Sequence, residues 1–72
     1  MGVRPDEFKA LRESLQLTHE EVARITGVES AWVVQRWEKP EGHTSARRPS
    51  PIAWQLLSLL SRNPELIERL KE

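Results

Sequence analysis

Trp32, Gln35, Arg36 and Lys39 share one side of the helix that residues 30–39 predict, because successive helical residues advance by about 100°. Val33, Val34 and Trp37 fall within one third of the circumference on the other side, which makes Trp37 a core residue. The exposed side chains suit one kind of chemistry. An arginine donates two parallel hydrogen bonds to a guanine edge, a glutamine pairs bidentately with adenine, and an apolar ring packs on a thymine methyl or a sugar. Ala31, Trp32, Gln35 and Arg36 are therefore the predicted base-reading group. The plain alternative is a solvated face, with Arg36 in a surface salt bridge and Trp32 against helix 2 or a partner. An ordinary solvated face, however, seldom carries a tryptophan.

Such a helix must be held by others. Thr18 and Glu21 form a T-x-x-E capping box that starts helix 2. Val22 and Ile25 face inward, Ala23 permits a close helix crossing, and Gly27 ends the helix in the left-handed conformation that glycine adopts cheaply. Ser30 is a good N-cap for helix 3, which Pro40 and Gly42 terminate after about Lys39. Two short helices joined by a glycine-containing turn have helix-turn-helix geometry. The start of helix 2 offers free N–H groups to an anion, so Thr18 and His19 are predicted phosphate contacts, with Ser30 and Lys39. Helix 1 runs from Pro5 to about Leu15, with Asp6 and Glu7 at the positive end of its dipole and Phe8, Leu11 and Leu15 inward.

The segment PEGHTSARRPS reads as a flexible loop whose Arg47 and Arg48 hold phosphate or enter the adjacent minor groove. Ser50 and Pro51 start helix 4, which reaches about Arg62. Ile52, Leu56, Leu59 and Leu60 form its predicted inward stripe, and Trp54 and Leu57 lie well around from it. One small core cannot cover both sides. Asn63 and Pro64 begin helix 5, which carries Leu66, Ile67 and Leu70. Trp54, Leu57, Leu66 and Leu70 are the predicted homodimer interface. The alternative is that helix 5 folds back over Trp54.

Bulk properties narrow the function classes. A chain of 72 residues is one domain. At this size only about 60% of the unfolded surface is buried, so dimerisation is a natural source of further stability. The absence of cysteine fits a reducing cytoplasm. No signal peptide or membrane span is expected, since Ser58 and Ser61 interrupt the longest apolar run. Formal net charge is zero, from 11 basic and 11 acidic residues. Their distribution is uneven: residues 30–50 hold Arg36, Lys39, Arg47 and Arg48 against Glu38 and Glu41, whereas residues 1–29 are net acidic. No nucleophile–base pair, glycine-rich phosphate loop or H-E-x-x-H motif occurs, and His19 and His43 have no carboxylates arranged around them. Neither an enzyme nor a metal or cofactor is expected. His43 is expected to be solvated.

On these residues, LTHEEVARITGV followed by VVQRWE resembles the helix-turn-helix of small prokaryotic and phage repressors of the Cro/C1 (Xre-like) class. RRPSPIAWQLLSLLSRNPELIERL is similar to the tail of antitoxin-type regulators of the HigA and MqsA kind. The resemblance implies that His19 stands where the family has a phosphate-touching glutamine. Two departures stand out: the turn GVES is one residue longer than the family's Gly-Val-Ser, and the loop from Glu38 to Ser50 exceeds its short basic connection.

The expectation is an all-α, lambda-repressor-like domain of five short helices spanning residues 1–72. Its expected partner is double-stranded DNA, bound at an inverted repeat by a homodimeric transcriptional repressor. The alternative is an antitoxin or adaptor that mainly binds a protein, such as a cognate toxin, with DNA binding secondary.

Overall fold

The computed structural model describes residues 3–40, 42–44 and 46–71. Glu41, counted above among the acids of residues 30–50, lies outside them. The described residues form five helices and no strand: α1 (Pro5–Ser14), α2 (His19–Thr26), α3 (Ala31–Trp37), α4 (Pro51–Arg62) and α5 (Ile67–Lys71), the last entered through a 3-10 turn at Pro64–Leu66. The chain is thus an all-α domain.

Local chemistry sets most of these boundaries. The Thr18 hydroxyl accepts the Glu21 N–H at 3.1 Å, and Glu21 Oε1 accepts the Thr18 N–H at 2.9 Å. Two N–H groups that the first turn leaves without helical partners are thereby bonded. Gly27 closes α2 at φ 78°, and its N–H donates to the Ala23 carbonyl at 2.9 Å. An added Cβ would meet nothing within 4 Å, so glycine is required there for its backbone angle and not for space. Ser30 precedes α3 in extended conformation, but its hydroxyl makes no capping bond. The Ser50 hydroxyl accepts the Ala53 N–H at 3.3 Å, with Pro51 in the first helical position.

Helix α3 stops at Trp37, two residues short of the expected end at Lys39. Pro40 disfavours helical angles at the residue before it. The Glu38 side chain is also drawn towards α1, as described below.

The core consists of Phe8, Leu17, Val22, Ala23, Ile25, Val34, Trp37, Ala53, Leu57, Leu60 and Ile67. Phe8 and Trp37 meet edge to face, with ring centroids 5.4 Å apart. Burial of Val34 and Trp37 fixes the rotation of α3 as the helical wheel predicts, with the four-residue turn Gly27–Ser30 before it. The most extensive packing is between α2 and α3, while α1 lies against α4 and α5 against α2.

Helix α4 is rotated from the expected position. Leu57, assigned to an outer stripe and to a dimer interface, is fully buried, and Trp54 is half-buried against the core. Ile52 and Leu59, expected inward, are 78% and 48% exposed. At about 100° per residue, Ala53, Leu57 and Leu60 centre roughly 110° from Ile52, whereas Ile52, Leu56 and Leu59 cluster near it. Both stripes are apolar, so hydrophobicity alone does not choose between them. Ala53 marks the buried side; its short side chain contributes little to a hydrophobic pattern, yet it lies in the middle of the packed face.

The rotation is testable by truncation. Leu57→Ala should lower unfolding free energy by about 2–5 kcal/mol, the usual cost of deleting a buried leucine side chain. Ile52→Ala should cost clearly less than Leu57→Ala, because Ile52 is 78% exposed and lies outside the core of the single chain. Urea titrations giving the reverse order would show that α4 faces the other way.

Candidate functional site

One buried ion pair positions the surface that carries the predicted contact residues. Arg12 of α1 donates from Nε to Glu38 Oε2 at 2.6 Å and from Nη2 to Glu38 Oε1 at 3.1 Å. Its Nη1 donates to the Leu17 carbonyl at 2.9 Å. The two side chains are only 11% and 8% exposed. Glu38 also lies 3.1 Å from His19 Nε2, at the first residue of α2. A single carboxylate just beyond α3 therefore ties together α1, the start of α2 and the end of α3. The bonding is nearly complete: among the described residues no buried side-chain nitrogen or oxygen lacks a hydrogen-bond partner. That completeness matters, because a buried charge is tolerated only when it is paired and hydrogen-bonded.

The network changes the role of His19. Predicted to face an external phosphate, its imidazole instead gives Nε2 to Glu38, leaving Nδ1 as the ring nitrogen for any outside contact. Thr18 remains exposed beside it while its hydroxyl caps α2.

The outward edge of α3 holds the predicted reading residues together. Trp32 is 52% exposed, and Ala31, Gln35 and Arg36 are half-buried around it. Ser30 is exposed at the start of the same helix. Lys39, expected on the last turn of that helix, lies beyond its end, in the bend before Pro40.

The loop that follows is bonded to α3 and within itself through its backbone. The Arg47 N–H donates to the Arg36 carbonyl at 3.1 Å, the His43 N–H to the Pro40 carbonyl at 3.1 Å, and the Ala46 N–H to the His43 carbonyl at 3.0 Å. Pro49 is buried. Arg47 and Arg48 are thus exposed side chains on a backbone fastened to the end of α3.

Two hollows connect these parts. One, of about 250 Å³, is lined by Lys9, His19, Gln35, Glu38 and Lys39. The other, of about 330 Å³, includes Arg4, Lys39, Arg47 and Arg48 in its wall. Lys39 belongs to both, so the two hollows adjoin and bring cations from α1, its N-cap, the bend after α3 and the loop to one side of the molecule. Among the described residues, the acid lining these two hollows is Glu38, which Arg12 already holds. Arg4 and Lys9 were not legible as site residues, because they sit on α1 and reach this surface only through the docking of α1 beside Glu38. The predicted interface residues of α4 and α5 do not stay together: Trp54 and Leu57 turn to the core, and Leu66 and Leu70 are exposed.

Among the described residues no group of three or more His, Asp or Glu side chains is placed to hold a metal ion, and no helix is long and apolar enough to cross a membrane. Comparison with protein-family models, curated proteins and solved structures returns no match.

The ion pair is testable by unbalancing it. Glu38→Ala leaves the Arg12 guanidinium buried without its carboxylate and should cost about 3–5 kcal/mol. Adding Arg12→Met removes the stranded charge and should recover much of that loss. Denaturant midpoints that simply worsen on adding the second substitution would contradict this account of the pair.

Proposed function

We infer that this protein is a sequence-specific double-stranded-DNA-binding transcriptional repressor that occupies an inverted repeat as a homodimer. The observation that carries the reading is the grouping of Arg4, Lys9, Lys39, Arg47 and Arg48 around two hollows beside the outward edge of α3, where Gln35, Arg36 and Trp32 stand together. Helix α3 enters the major groove. Arg36 donates to guanine, Gln35 pairs with adenine, and Trp32 and Ala31 supply apolar contact to thymine or sugar. Thr18, His19, Ser30 and Lys39 hold phosphates along the groove, and Lys9 joins them from α1. Arg47 and Arg48 grip the backbone from the tethered loop. Such contacts fix register without carrying sequence. The α2–turn–α3 arrangement, with α2 packed behind α3, supports a helix-turn-helix role of the Cro/C1 type.

The dimer surface differs from the one the helical wheel suggested. Ile52 and Leu59, seven residues apart, share a face of α4, and Leu66 and Leu70 are exposed near the end of the chain. A two-fold axis through this face buries each copy against the same surface of the other. It also sets two copies of α3 about 34 Å apart, one turn of duplex, as an inverted repeat requires. Covering a promoter in the cytoplasm then represses transcription, without a cofactor.

A second reading, an antitoxin or adaptor that mainly binds a protein such as a toxin, draws on the half-exposed Trp32 and the zero net charge. Salt separates the two. Affinity for DNA drops steeply with salt as counterions are released, whereas docking anchored by a tryptophan changes little.

Two outcomes follow from the DNA reading. Arg36→Ala should reduce the ratio of specific to scrambled-duplex affinity by the equivalent of about 1–3 kcal/mol while leaving helical circular dichroism intact; an unchanged ratio removes Arg36 from base recognition. The wild type should sediment as a dimer at micromolar concentration, and the Ile52→Glu, Leu59→Glu double variant as a folded monomer with weak half-site binding. A dimer that survives both substitutions would place the interface elsewhere.

A further inference from the structure

Arg4, Lys39, Arg47 and Arg48 come from three separate chain segments: the N-cap of α1, the bend after α3, and the loop. All four line one open hollow of about 330 Å³. Among the described residues, Lys39, Arg47 and Arg48 have no carboxylate within ion-pair distance. Arg4 has one, Asp6 at 3.5 Å, but both side chains are more than two-thirds exposed, so water screens the pair. Four cations around one hollow, without a buried counter-charge among the described residues, repel one another, and the backbone must hold them in place. It does so at two points: the Arg4 N–H donates to Glu7 Oε1 at 3.3 Å, and the Arg47 N–H to the Arg36 carbonyl at 3.1 Å. Glu38, in the adjoining hollow, is held by Arg12 and His19. It adds little net negative charge.

We propose that this hollow is a seat for a phosphate group, with Arg4 as a cation from α1 that completes it. Guanidinium groups fork onto phosphate oxygens in pairs, and an ammonium adds a point charge. A single water occupies about 30 Å³ in the liquid, so the hollow has room for a phosphate and its residual hydration. The natural ligand rests on the DNA reading: it is a backbone phosphodiester just beyond the groove that α3 enters. The chemistry of the seat does not depend on that reading, because a free phosphate anion satisfies the same groups.

The test therefore has two arms on the full chain. In the first, pyrophosphate is titrated into wild type and Arg4→Gln, with sodium chloride matching ionic strength, and amide shifts are followed by NMR. Saturable shifts confined to Arg4, Lys39, Arg47, Arg48 and their neighbours, and clearly weakened in Arg4→Gln, are expected. In the second, duplex affinity is measured against salt. Arg4→Gln should weaken specific and scrambled duplexes alike and reduce the log–log slope by about one unit. Saturable pyrophosphate binding with no duplex binding would keep the seat, assign it to a free phosphate and overturn the DNA reading. Duplex binding with an unchanged slope in Arg4→Gln, together with diffuse, unsaturable pyrophosphate shifts, would overturn the seat and leave the DNA reading standing. Circular dichroism of Arg4→Gln matching wild type excludes loss of α1 as the cause of either effect.

Discussion

The placement of the whole candidate surface depends on the Arg12–Glu38 ion pair. Glu38 follows the last residue of α3, Arg12 lies inside α1, and His19 opens α2, so the contacts of one carboxylate relate three helices. Packing of Val34 and Trp37 sets the rotation of α3 about its own axis. The ion pair pins its C-terminal end, since a bidentate guanidinium–carboxylate contact tolerates little displacement. That docking carries Lys9 and Arg4 of α1 to the same side of the molecule as Gln35 and Lys39. It also pairs the Glu38 carboxylate, at the end of α3, with a buried guanidinium.

A zero net charge is compatible with a locally basic face once the acids are followed individually. Glu7 and Glu21 accept backbone N–H groups at the starts of α1 and α2, and Glu38 sits in the buried pair. These three carboxylates satisfy donors that would otherwise face water or lie buried without partners. Lys39, Arg47 and Arg48 have no carboxylate partner among the described residues, although Arg47 Nη1 donates to the Ala46 carbonyl at 2.8 Å. Total charge averages over both groups. The potential that an approaching polyanion meets is local, because at physiological salt the screening length is about 8 Å.

Helix α4 divides its apolar residues between two uses. Ala53, Leu57 and Leu60 belong to the monomer core, which in a chain this short must include nearly every large side chain able to reach it. Ile52 and Leu59 are left outside, with Leu66 and Leu70 exposed on the segment after α4. Trp54 borders the buried stripe on the side away from Ile52, half-buried against the core.

Local rules were legible in the sequence wherever the physics is local. The Thr18–Glu21 capping box, the left-handed Gly27, Ser50–Pro51 at the start of α4 and the breaks at Pro40 and Pro64 each follow from a few neighbouring residues, and the helices begin and end close to where these residues place them. The wheel of α3 was legible too, because Val33, Val34 and Trp37 cluster on one side while Gln35 and Arg36 mark the other. Helix α4 was not, because both of its candidate faces are apolar, and the choice between them depends on which neighbours pack there. The bond from His19 to Glu38, the tethering of Arg47 to Arg36 and the arrival of Arg4 and Lys9 beside α3 join residues far apart in the chain. Propensity and periodicity describe a residue's relation to its own helix. Which charges meet across helices is decided only when the core packs, since packing fixes the distances on which hydrogen bonds and ion pairs depend.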